Sequence, residues 1–128
     1  MRIAKNFFLF SVAALILAGC SSITNLTPTQ QSRNALGLYT VEAAWDSRQQ
    51  SIRPDSFHPS VVVGLENYPM RRTLLLKNRW EALVPVSADK NSIYYRFKFD
   101  FDYNAIPQPL PDSKLSREYK LEITDGRK

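Results

Sequence analysis

Between Ile93 and Tyr103 the chain alternates without a fault. Ile93, Tyr95, Phe97, Phe99, Phe101 and Tyr103 fall on one side, and Tyr94, Arg96, Lys98, Asp100 and Asp102 on the other. A period of two held this long predicts a strand with one buried and one wet face. A helix, with its period of 3.6, would scatter the same rings around its whole circumference. The buried face is almost entirely aromatic, so a second layer must cover it. The stretch is expected to be a central strand of an antiparallel sheet.

Other segments repeat the pattern at shorter length. In Leu38–Trp45, Tyr39, Val41, Ala43 and Trp45 alternate with Thr40, Glu42 and Ala44. In Arg79–Val86, Trp80, Ala82, Val84 and Val86 share a side, and in Arg117–Thr124 Tyr119, Leu121 and Ile123 do the same. Ser60–Tyr68 carries Val61, Val62 and Val63 before Gly64, a place for a bulge or a close backbone approach. Arg71–Lys77 reads as a short run built on Leu74, Leu75 and Leu76, with a turn at Asn78. Asp46–Pro59 and the proline-rich Asn104–Ser116 read as loops, and Ala88–Asn91 as a turn. No stretch after residue 20 keeps a helical apolar period for three turns. Six or seven short strands predict an all-β fold, a single antiparallel immunoglobulin-like β-sandwich over residues 34–125, with an open barrel as the alternative. Residues 126–128 are expected to fray.

The first twenty residues obey a different rule. Arg2 and Lys5 precede an apolar run from Phe7 to about Ala18, and Leu17-Ala18-Gly19-Cys20 follows at its end. Twelve apolar residues are too few for a spanning helix, which needs roughly 20, but they fit a secretory signal. Small residues placed directly before a cysteine resemble the lipobox of bacterial lipoprotein precursors, and the resemblance covers residues 1–22. It implies that residues 1–19 form a removed, helical signal peptide. Cys20 would then carry the lipid. Residues 20–33, polar from Ser21 to Arg33, are expected to begin as a tether and to end as an edge strand leading to the domain. Ser21 stands where lipoproteins retained in the inner membrane tend to have Asp, so the resemblance favours the outer membrane, facing the periplasm. Acyl chains in pairs or more hold a protein firmly to a bilayer.

Composition then narrows the chemistry. Of 128 residues, removal of the first 19 leaves 109, enough for one domain with its own core. Cys20 is the sole cysteine, so no disulfide can form within the chain. Of 17 Lys and Arg, Arg2 and Lys5 leave with the peptide, so 15 stand against 12 acids. That mild excess reads as a solvated surface rather than a nucleic-acid interface. His58 is the single histidine, no Gly-x-Ser-x-Gly elbow occurs, and no paired His or Cys spacing suits zinc. No catalytic set, metal site or cofactor is expected. Asp100, Asp102 and Asn104 open like a calcium loop, but Ala105 replaces the glycine and Pro111 the closing glutamate, so strand alternation accounts for them. The Asn25-Leu26-Thr27 sequon is read as a chance match. Trp45 and Trp80 are in phase with core valines. Tyr68 and Tyr94, in phase with Glu66 and Arg96, are the candidates for exposed, ligand-contacting aromatics.

A second resemblance rests on Tyr68-Pro69-Met70, on Asn78-Arg79-Trp80-Glu81 with Val84-Pro85-Val86, and on Tyr94-Tyr95-Arg96-Phe97-Lys98-Phe99-Asp100. In that order they resemble E-set immunoglobulin-like domains, among them the glycogen-binding type, over residues 60–103. In that type a tryptophan-bearing strand contacts sugar, and here Gly64-Leu65-Glu66-Asn67-Tyr68 takes its place. The likeness implies the fold more than the ligand. The whole chain resembles small bacterial outer-membrane-type lipoproteins, which implies an anchor and no particular activity. The expected function is that of a membrane-anchored, non-catalytic envelope lipoprotein acting as an accessory module or binding a protein partner through sheet edges and loops, with carbohydrate binding of the E-set type as the alternative.

Overall fold

The computed structural model describes residues 21–125. Ten strands run in chain order as β1 Ser21–Asn25, β2 Gln30–Ser32, β3 Leu38–Ser47, β4 His58–Val63, β5 Glu66–Pro69, β6 Arg71–Arg72, β7 Arg79–Pro85, β8 Ser92–Tyr103, β9 Leu110–Leu115 and β10 Tyr119–Thr124. One turn of 3₁₀-helix, Pro54–Ser56, is the only helical element among the described residues. The strands form two sheets. The four-stranded sheet has the order β1-β3-β7-β6, and the larger one has the order β2-β10-β8-β4-β5, with β9 also on β8. All pairs are antiparallel except β2 with β10. The fold is the expected all-β sandwich.

β8 is the central strand that its alternation demands. It pairs with β4 on one side and with β10 and β9 in succession on the other. Leu115 lies opposite Lys98 and Tyr119 opposite Tyr95, so three residues of the edge face two of β8. That is a β-bulge, and it makes β9 and β10 one interrupted edge strand. Ser116 stitches the interruption: its hydroxyl accepts from the Phe97 amide at 2.9 Å, and its own amide donates to the Phe97 carbonyl at 2.8 Å.

The core lies between the sheets. Tyr95, Phe97, Phe99 and Trp80 are buried, as are Val41, Val61, Val84 and Leu121. Trp45 of β3 stacks on Phe99 of β8 at 5.1 Å, and Phe57 stands edge-on to Trp45 at 5.4 Å. Rings in such contact contribute beyond their buried area.

Four segments differ from the sequence expectation. Residues 21–33, expected to begin as a tether and to end as an edge strand, hold β1 as well as β2. β1 has little apolar pattern, but its backbone pairs with β3 from Ser21↔Ser47 to Asn25↔Ala43. Just beyond it, Thr27 puts its hydroxyl on both the amide and the carbonyl of Glu42. His58 and Pro59, expected in a loop, open β4, with Pro59 buried opposite Phe99. In the Asn104–Ser116 stretch, β9 tolerates Pro111 because it borders a sheet and pairs on one side only. Finally, Leu74–Leu76 is not a strand but the tip of the β6–β7 hairpin, closed by the Thr73 amide on the Arg79 carbonyl at 2.9 Å.

Candidate functional site

The strand directions give the sandwich two distinct ends. At one, the loops 33–37, 64–65 and 86–91 converge around a cleft of about 610 Å³. Its floor is apolar, formed by Tyr39, Val63, Val86 and Ile93 with the ring of Tyr68, and Glu66 and Lys90 supply charge at its margin. Each loop is held by specific chemistry. Gly37 has φ +66, and a Cβ there would meet the Val86 carbonyl at 3.3 Å, while the Gly37 carbonyl accepts from the Val86 amide at 2.9 Å. Asn34 closes the first loop, its Oδ1 accepting from the Gly37 amide and its Nδ2 donating to the Leu38 carbonyl. Arg33 locks the third loop. Its guanidinium donates to the Ala88 and Lys90 carbonyls and to Asn91 Oδ1 at 2.7 Å, and it pairs with Asp125 at 3.0 Å.

The result is a braced, open cleft with an apolar floor, suited to an apolar side chain or a ring. Leu36, 83% exposed, stands in its lining, and Leu65, fully exposed, tips the adjacent β4–β5 turn.

Tyr68 lies in this cleft, half-buried against the core. It shares a register row with Val61 and Phe97, so it faces inward. Glu66 is on the same side, at the mouth of the sandwich, which is why phase with Glu66 misplaces Tyr68 on the wet face. Tyr94 is on the outer face of β8, 54% exposed, with Lys120 Nζ 5.9 Å from its ring. The two tyrosines occupy opposite faces of one sheet and make no joint platform. His58 and Ser113 flank Asp100 across β4, β8 and β9, and the Asp100 carboxylate lies 3.8 Å from Lys98. Leu17, Ala18, Gly19 and Cys20 lie outside the described residues.

Arg33, Leu36 and Leu65 were not singled out by sequence reasoning. Their signal was present in Gly37 and Gly64, turn residues each set beside an exposed leucine. No protein-family model, curated protein or solved structure matches this chain.

Proposed function

We propose that the protein is a lipid-anchored, non-catalytic module of the bacterial envelope that offers the cleft end of its sandwich to a protein partner. The observation that supports this most is the placement of Leu36 and Leu65 in solvent around a braced apolar floor. Exposed apolar groups around a concave site are what a partner covers. The open sheet edges are poorer surfaces: β6 is two arginines and β5 ends in Pro69. Lipidation at Cys20, location in the outer membrane facing the periplasm, and the lack of an enzymatic role belong to the same reading.

Carbohydrate binding is the second reading, supported by the Tyr68 ring in a cleft that also holds Glu66 and Asn34. One comparison separates the two. A photoreactive residue at Leu36 or Leu65 in the full chain, crosslinked in intact cells, should capture one envelope protein, and the same probe at Tyr94 should not. Specific glycan capture abolished by Tyr68→Ala, without a crosslinked protein, would replace the first reading by the second. The anchor is tested apart from both: the native protein should carry acyl mass on Cys20, and Cys20→Ala should lose it and leave the membrane fraction. An intact Met1 would refute the anchor.

A further inference from the structure

The end opposite the cleft carries an apolar surface of its own. β3 runs from Leu38 at the cleft to Ser47 at this end, and β1, antiparallel to it, begins here with Ser21. Two hairpins reach the same end, one from each sheet. β6–β7 exposes Leu74 (88%), Leu75 (fully) and Leu76, and β8–β9 exposes Ile106 (98%) and Leu110. Across the four-stranded sheet, the β6–β7 hairpin is two to three strand spacings from β1, about 10–14 Å.

The charge beside the leucines is predominantly basic: Glu81 pairs with Arg71 at 3.2 Å and Asp46 lies on the neighbouring β3, against Arg72, Lys77 and Arg79. From Arg71 to Arg79 the chain holds Arg71, Arg72, Lys77 and Arg79 and no acid, and Lys77 and Arg79 are exposed. The backbone points the same way. Leu75 adopts φ +65, a left-handed conformation that suits Asn or Gly and is costly for leucine. The Leu75 side chain held there is fully exposed and gains no burial in the fold.

We infer that this end docks on the surface of an anionic phospholipid bilayer, with the Leu74–Leu76 tip and Ile106 entering the headgroup region. The inference rests on the anchor proposed above. Cys20 immediately precedes β1, so its lipid would enter the bilayer beside these two tips. A leucine tip with Arg72, Lys77 and Arg79 beside it, and an uncharged second tip at Ile106, match the boundary between acyl chains and anionic headgroups.

The test uses the full-length protein purified from the envelope and reconstituted in vesicles of phosphatidylcholine and phosphatidylglycerol that carry nitroxide-labelled lipid. A thiol-reactive fluorophore is placed through Leu75→Cys, Ile106→Cys or, at the cleft end, Leu65→Cys. Quenching should be severalfold greater at positions 75 and 106 than at 65. Adding Leu74→Ser and Leu75→Asn to the Ile106→Cys chain should remove most of its quenching, and asparagine suits the left-handed backbone. The parent chain, its only sulfhydryl blocked by lipid, should take up no dye. Dye on parental Cys20 would overturn anchor and docking together. Equal, weak quenching at all three positions in a chain whose parent takes no dye would overturn docking alone. So would protection of the 75 and 106 labels by a soluble envelope protein but not by vesicles.

Discussion

Asn25 reaches across the sandwich to Tyr95. Its Nδ2 donates to the Tyr95 hydroxyl at 2.9 Å, joining the end of β1 in one sheet to the central strand of the other. Its Oδ1 is also engaged, accepting from the Thr27 amide at 3.1 Å. The Asn25-Leu26-Thr27 triplet is therefore a structural corner, with both polar side chains turned to the fold. Tyr95→Phe should cost about 0.5–1.5 kcal/mol, the net worth of one hydrogen bond. Asn25→Ala, which removes two, should cost more. Urea unfolding of both variants checks the order.

The aromatic stack between the sheets should dominate stability. Phe99 is fully buried and touches both Trp45 and Trp80. Phe99→Ala should cost about 3–5 kcal/mol, as other large core truncations do. The midpoint of thermal unfolding, followed by far-UV circular dichroism, should fall by more than about 10 °C. A loss below about 1 kcal/mol would mean that the layers do not meet at this ring.

The bulge gives a sharper test because its polar partner is a single hydroxyl. Ser116→Ala leaves the Phe97 amide without its acceptor, and an orphaned buried donor costs about 1–3 kcal/mol. The effect should be local. Amide exchange should quicken at Phe97 and Ser116 while the β3–β7 pairing keeps its protection.

How much of this was legible beforehand depends on where a residue's partner comes from. β8, β3, β7 and β10 show themselves because their own side chains alternate, and the burial of Trp45, Trp80, Phe97 and Phe99 follows directly. β1 and β9 do not, since Ser21–Asn25 and Leu110–Leu115 are held by backbone pairing to a neighbour that no local pattern reveals. Tyr68 was misread for a related reason: the tight Gly64-Leu65 turn sets its register against Val61, and register decides its face. Three consecutive leucines looked like strand material. Without alternation they had no reason to be one, and a left-handed Leu75 with a left-handed Asn78 turns them into a tip. The cleft was legible only as two glycines, because its walls come from loops far apart in sequence.

Arg33 should govern the cleft's rigidity more than the stability of the fold. Its planar fork serves the Ala88 and Lys90 carbonyls and Asn91 at once, which an ammonium cannot copy. Arg33→Lys should quicken amide exchange at Lys90 and Ile123, whose amides bond to Ser87 and Asn91 in that loop, and spare β8. Unchanged exchange at Lys90 would show that the loop holds itself.

β3 also works as a ruler. It spans ten residues, at about 3.3 Å each, and runs from the end where Ser21 begins to the end where the cleft opens. With β1 starting directly after Cys20, no slack is left to lengthen that span. Under the proposed anchor the cleft would stand at a fixed elevation of about 33 Å, and a partner would have to be tall enough, or close enough to the same leaflet, to meet it there.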